Sequence, residues 1–326
     1  MSLKHFHLRN DVFVKIILSS FLFRYSKKVV MKKLFALCMI FLFFLTAFVS
    51  RKKNKLRVPE EFVLIPGGTT SLCCDTCCMY HNDPGKRITI PSFYMSKYEV
   101  TNQQYRQFFS EVSPGLSGEM REKIACDTPG WNQLLLYCQP MVQYYYSHPA
   151  YKTYPLVNVS YEGASKYCEW LQEKIQADNP GYVIEVQLPG KNQWIWAAQG
   201  GRSQAMYPWG NYYLRNKKGE ALCNYKKLGD QSITRDKQTG KPVVSESSIG
   251  MQDAAFFTAT VKSYYPNDFG LYNICGNVAE MISEKRIAMG GSWNDYGGDV
   301  HIRSEASYDR SAPTIGFRPI IVFKER

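Results

Sequence analysis

Past residue 57 this chain has no excess of either charge: 27 Lys and Arg balance 27 Asp and Glu. The formal net charge of +12 over 326 residues therefore belongs to residues 1–57, where 13 basic residues face Asp11 alone. A neutral body lacks the electrostatic footprint of a nucleic-acid binder, so no nucleic-acid partner is expected. Paired histidines are missing too. The five His are scattered and no His-x3-5-His occurs, which argues against the usual two-pair zinc site. There is no internal repeat and no low-complexity tract. No cysteine follows Cys275.

Aromatic residues, by contrast, are plentiful, with 23 Tyr and 18 Phe, and Gly and Pro are frequent. That composition suits a compact, loop-rich globular body and excludes disorder. One apolar run stands out. Met31-Lys32-Lys33 precedes residues 34–49, which are apolar except for Thr46. A basic start followed by such a run is an export signal, and Met31 is the expected start of translation. The run falls short of the about 20 residues of a comfortable membrane span. The basic "RKKNK" at 51–55 is unusual directly after a cleaved signal, so a cleaved signal and a membrane anchor both stay open. Cys38 lies too early in the run for a good lipoprotein site. Residues 1–57 are thus read as signal or anchor, and 58–326 as one domain facing a non-cytoplasmic compartment.

Nine cysteines follow the signal, four of them in "CCDTCC": Cys73, Cys74, Cys77 and Cys78. In an exported protein these are expected to form disulfides, among themselves or with Cys126 and Cys138. A metal cluster, or a redox pair at Cys74 and Cys77, is the alternative. Cys168 and Cys275 lie among apolar residues and are expected to be buried.

The chain reads as short strands alternating with few helices. "EFVLIPGG" (61–68) is a strand ending in a Gly turn, and 88–112 a strand followed by a helix. Thr101 and Gln104 have capping-box spacing, with Val100, Tyr105, Phe108 and Phe109 as the apolar stripe. Residues 154–175 repeat the plan, with Ser160 as N-cap and Ala164, Tyr167, Cys168 and Leu171 inward. Residues 183–201 give a strand, a Pro-Gly turn and a Trp-rich helix ending at Gly200-Gly201. Residues 226–248 are polar and read as an exposed insertion. From Tyr207 onward, periodicity is weak.

Nine segments, in order, carry a family likeness: "FVLIPGG", "FYMSKYEVTNQQYRQF", "YPLVNVSYEGASKYCEWL", "QLPGKNQWIWAAQGG", "YPWGN", "CNY", "NDFGLYNICGNVAEM", "GGSW" and "IGFR". From about Val58 to Lys324 the chain resembles the formylglycine-generating-enzyme (sulfatase-modifying factor) domain. The resemblance implies an α+β, irregular, loop-rich C-type-lectin-like fold. It also implies structural Ca²⁺ at Asn273, Gly276, Val278 and Glu280, and at a second site with Asn224, Tyr225, Asp253 and Ala255. Side-chain and backbone oxygens of this kind suit a hard cation.

The same resemblance exposes a loss. Active relatives oxidise a sulfatase cysteine with O₂ and copper, using a Cys-x4-Cys pair just after "GGS". Here those positions are Asp295 and Val300, behind Ser292. A hard anion and a hydrocarbon are no ligands for Cu(I), so no copper is expected. The Asn before "GFR" is replaced by Thr314, one residue earlier than Ile315. The wording is similar to that of gliding-motility and type IX secretion lipoproteins that also lack the pair, although Met281 stands in place of their Trp. The expectation is an exported, membrane-associated, non-catalytic binding or assembly protein with a protein or glycan partner in the cell envelope. An oxidoreductase of the family is the alternative.

Overall fold

The computed structural model describes Lys32 and residues 56–72, 86–134, 138–202, 205–226, 231–236, 238–240, 242–246 and 255–325. The "CCDTCC" cysteines, Asp253 and the apolar run at 34–49 lie outside the described residues. Leu56–Arg326 is one compact unit, separate from Met1–Lys55. Among the described residues no helix is long and apolar enough to cross a membrane.

Chain order gives strands β1 (Phe62–Ile65), β2 (Gly68–Leu72), β3 (Lys86–Ile90) and β4 (Phe93–Ser96), then helices α1 (Asn102–Val112), α2 (Gly118–Ile124), α3 (Gln139–Tyr144) and α4 (Tyr161–Asp178). Strand β5 (Tyr182–Gln187) and helix α5 (Lys191–Gln199) follow. Seven short strands complete the chain: β6 (Gln231–Arg235), β7 (Pro242–Glu246), β8 (Ala279–Met281), β9 (Ile287–Met289), β10 (Glu305–Ser307), β11 (Ile315–Gly316) and β12 (Ile320–Glu325). The architecture is α+β and loop-rich, as the sequence led one to expect.

Two four-stranded sheets organise it. The first has order β1-β4-β12-β5, so the last strand is inserted between strands from the start and the middle of the chain. Fully buried Ile320 and Ile321 fix that insertion. The second has order β10-β9-β8-β11, and β11 runs parallel to β8 with Gly316 opposite Glu280. Hairpins β2-β3 and β6-β7 stand apart. The single strand read from "ITIPSFYMS" is two, because Pro91 cannot donate to a ladder and the chain breaks there. The insertion at 226–248, read as exposed polar chain, contains the β6-β7 hairpin. Its Thr, Ile and Val residues explain the strands.

The helices start and stop where local chemistry says. Thr101 Oγ1 accepts the Gln104 amide while Gln104 Oε1 accepts the Thr101 amide, a complete capping box. Ser160 caps α4 by accepting from Gly163 at 2.9 Å. Gly200, at φ +59°, ends α5. Helices α1 and α4 bury Tyr105, Phe108, Tyr167, Cys168 and Leu171 against β5 and Phe317, in a cluster of edge-to-face and stacked rings.

Strand β5 is an edge of the first sheet, and an open edge invites another chain. Helix α4 closes it. Gln172 Oε1 accepts the Val186 amide and Gln176 Oε1 the Ile184 amide, both at 3.0 Å, while Gln176 Nε2 donates to the Tyr182 carbonyl. Two glutamines four residues apart lie on one helix face and thus replace a neighbouring strand. Gln176→Leu should cost about 1–3 kcal/mol by leaving a largely buried amide unpaired. Gln172→Leu/Gln176→Leu should add self-association, measured by denaturant melts and sedimentation velocity. Unchanged stability and a monomer would refute this account of the edge.

Candidate functional site

The parallel pairing of β8 with β11 brings "GFR" beside Glu280. Arg318, fully buried, donates through Nε to both Glu280 oxygens (2.8 and 2.7 Å) and through Nη2 to Oε1 at 2.5 Å. Its other N–H groups reach the Ser96, Lys97 and Tyr272 carbonyls. All five guanidinium donors are placed, the condition for burying this cation. Trp194 Nε1 adds a 2.8 Å bond to Glu280 Oε2. Glu280 is therefore committed to Arg318 and Trp194.

A second carboxylate lies nearby without such a partner. Glu99 is buried, and its contacts are amides: Asn277 Nδ2 at 2.8 Å and Asn273 Nδ2 at 3.4 Å. Burial pushes its carboxyl up to about 8, against the pull of Arg318. The turn 273–277 makes this possible. Asn273 (φ +49°), Gly276 (φ +77°) and Asn277 (φ +62°) all adopt the left-handed conformation that Asn and Gly tolerate. Gly276 also presses on the Asn224 carbonyl, where a Cβ would collide with backbone. The Asn277 amide donates to that carbonyl at 2.8 Å, and Asn224 Nδ2 donates to the Phe257 carbonyl at 2.7 Å. The structure thus brings Asn224, Asn273, Gly276 and Asn277 together around Glu99.

Two oxygens in this cluster lack a donor. Asn273 Oδ1 and Asn224 Oδ1 are buried side-chain oxygens without a hydrogen-bond partner. Such orphans in a site rich in oxygen and holding an uncompensated carboxyl fit a hard cation. Val278, by contrast, buries its side chain among Trp131, Tyr145 and Trp293, so only its backbone is available to an ion. Tyr225 is half-buried against the core around α5 and Ala255 is half-buried. Sequence reasoning missed Glu99 and Asn277. The available signal was an acidic residue between buried Tyr-rich strand and N-cap in "KYEVTN", but its partners lie 174 and 178 positions away.

The residues that the resemblance places in the active-site region are engaged by their own neighbours. Asp295 Oδ2 accepts from the Ser292 amide (2.7 Å) and from Ser292 Oγ (2.6 Å), and Ser292 Oγ in turn accepts the Asn294 amide. Ser292 is a turn residue held by Asp295, with no histidine in its hydrogen bonds. Val300 is 0% exposed and packs in the core with Ile274, Cys275 and Ile302. Thr314 is half-buried and offers its carbonyl to the Ala279 amide. Cys126 and Cys138, one of the two sets of disulfide partners the sequence left open for "CCDTCC", are free thiols, and Cys138 Sγ donates to Asn132 Oδ1. Both are shielded, Cys138 in the aromatic cluster and Cys126 by a burial that pushes its thiol up to about 12. Cys168 and Cys275 are buried free thiols, as expected.

A family model described as the sulfatase-modifying factor enzyme 1-like domain matches residues 47–322. The chain belongs to the sulfatase-modifying factor family. Formylglycine-generating enzyme from Bos taurus is 24% identical over 80% of this chain and 74% of its own length. Inactive C-alpha-formylglycine-generating enzyme 2 from Bos taurus is 24% identical over 79% and 87%. Chaperone protein LppX from Paenibacillus barcinonensis is 24% identical over 81% and 90%. The solved structure of PvdO from Pseudomonas aeruginosa shares the fold, with a TM-score of 0.51 at 20% identity over 80% of this chain and 93% of that one. This sulfatase-modifying-factor domain is therefore similar to enzymes, to a protein named inactive and to a protein named a chaperone.

Within the domain, the Arg318–Glu280 pair ties β4, the Tyr272 loop, α5 and β8 together. Arg318→Met should cost about 3–5 kcal/mol, because it strips a buried carboxylate of its cation and removes donors from three carbonyls. Glu280→Gln with Arg318→Met should recover part of that loss. Chemical denaturation of the three proteins checks this, and a near-neutral Arg318→Met would contradict it.

Proposed function

We propose that this protein is an exported, membrane-associated, non-catalytic binding or assembly protein built on a formylglycine-generating-enzyme-like scaffold. The observation that carries the reading is the state of the two positions where active relatives keep copper ligands. Asp295 spends its carboxylate on the Ser292 turn, and Val300 is core. Neither supplies a soft donor. The similarity to proteins named inactive formylglycine-generating enzyme 2 and chaperone LppX supports a binding role in the envelope. The apolar run at 34–49 supports export, and the gliding-motility and type IX wording supports a place beside secretion machinery.

Ca²⁺ would order the loops of this scaffold. Asn273 would hold it with backbone oxygens at Gly276 and Val278 and with charge from Glu99. Glu280 joins that set only by releasing a hydrogen bond from Arg318 or Trp194. Asn224, with Tyr225, Asp253 and Ala255, would hold a second ion. The ion supplies positive charge to a buried, oxygen-rich cluster and cross-links segments with little regular structure.

Purified full-length protein should contain no stoichiometric copper and leave a Cys-x-Pro-x-Arg peptide unoxidised, by metal analysis and mass spectrometry. Formylglycine formation would establish the oxidoreductase reading. Stoichiometric copper lost on replacing Cys73, Cys74, Cys77 and Cys78 by Ser would place copper on that cluster. Adding Ca²⁺ at about a hundredfold excess over its Kd to chelator-treated protein should raise Tm by about 5–10 °C. Asn273→Ala should remove much of that rise. A melting curve indifferent to Ca²⁺ would exclude the ion.

A further inference from the structure

Residues 207–226 combine an aromatic-rich stretch with a local excess of basic charge. They hold Tyr207, Trp209, Tyr212, Tyr213 and Tyr225, and they carry Arg215, Lys217, Lys218 and Lys226 against Glu220 alone. In a body whose charges cancel, this is a local basic excess. Tyr212 and Tyr213 are 78% and 72% exposed, among the most exposed large hydrophobic residues of the domain. Water-exposed rings in a row need an explanation, since burial would have been favourable.

The backbone that carries these tyrosines is held by hydrogen bonds. Trp209 stacks on Tyr207 with centroids 5.0 Å apart and planes 4° from parallel. Trp209 Nε1 donates to the Tyr213 carbonyl at 2.8 Å, and the Tyr213 amide donates to Asn211 Oδ1 at 2.9 Å. The Asn211 turn is thereby closed with both tyrosines pointing out. Asn216 Oδ1 similarly accepts the Lys218 and Glu220 amides, fixing the basic turn.

The platform adjoins the turn that carries Asp295. Tyr207 Oη donates to the Gly297 carbonyl at 3.2 Å, and Leu214 lies so close to Gly297 that a Cβ there would collide with it. Lys226 pairs in a short parallel bridge with Tyr296, and its ammonium lies 5.3 Å from the centre of that ring. Tyr296 is 46% exposed. Asp299 is the acidic counterweight in this turn, while Asp295 is directed to Ser292. The balance stays basic.

We propose that Tyr212, Tyr213 and Tyr296, with Lys217, Lys218 and Lys226, form a binding surface for an anionic glycan. This rests on the reading of the protein as a non-catalytic binder and names the chemistry of its partner. Exposed flat rings stack on the C–H faces of sugars, and a hydrogen-bonded backbone turn beneath them lowers the ordering cost of binding. Amides and ammonium groups beside them hydrogen-bond hydroxyls and pair with carboxylate or phosphate groups. A membrane surface is the less suited occupant. The exposed tip presents Asn211, Tyr212 and Tyr213, with polar hydroxyl ends and no aliphatic wedge.

Affinity of the full chain for an alginate hexasaccharide, a uronate chain, is the test, with neutral dextran oligosaccharide and phosphatidylglycerol vesicles as the other arms. Alginate should bind, dextran about tenfold more weakly or not at all. Tyr212→Ala/Tyr213→Ala should weaken alginate binding about tenfold or more, and Lys217→Glu/Lys218→Glu should weaken it and flatten its salt dependence. Both pairs are exposed, so circular dichroism and Tm should be unchanged. No alginate binding, binding indifferent to these variants, or Tyr-dependent binding to vesicles alone would overturn the proposal. Copper content and peptide oxidation are measured separately, so failure here leaves the non-catalytic reading to stand or fall on its own assay.

Discussion

The fold depends on one buried ion pair. Arg318 sits two residues past a two-residue strand, and β11 reaches β8 only through parallel pairing at Ile315 and Gly316. From there its guanidinium binds Glu280 and three carbonyls from segments more than forty residues away in sequence. A domain poor in regular structure has few ladders to hold its segments in register. A planar group with five fixed donors does that work at one point, and the desolvation cost is offset only because every donor finds an acceptor. Trp194, donating to the same carboxylate, brings α5 into the arrangement.

Beside that pair, within an apolar core, the chain assembles a small polar cluster. The left-handed turn at 273–277 aims Asn273 and Asn277 at Glu99 and packs Gly276 on the Asn224 carbonyl. Buried amides and carboxylates are stable when their partners are complete, and here two amide oxygens are not. The turn joins segments around Glu99, Asn224 and Phe257 at one polar centre.

Asp295 and Val300, where the family resemblance would place copper ligands, are taken up locally, one as the acceptor of the Ser292 turn and the other in the core. The same turn carries the bridge from Lys226 to Tyr296. The adjoining surface presents exposed rings at Tyr212, Tyr213 and Tyr296 and a basic margin.

The sequence by itself determined helices α1, α4 and α5, the N-caps of α1 and α4, and the family likeness. Each rests on contacts within a few residues: Thr101 with Gln104, Ser160 with Gly163, and the motifs from "FVLIPGG" to "IGFR". It also determined that Asp295 and Val300 cannot hold Cu(I), because that is a matter of side-chain chemistry. What only the tertiary structure decided is which distant groups meet. The pairing of Glu280 with Arg318, the place of Glu99 beside Asn273 and Asn277, the free thiols at Cys126 and Cys138, and the closure of β5 by Gln172 and Gln176 join residues 8 to 178 positions apart or leave them unjoined. No periodicity or spacing encodes such contacts, since they follow from strand order and from one parallel pairing at β8.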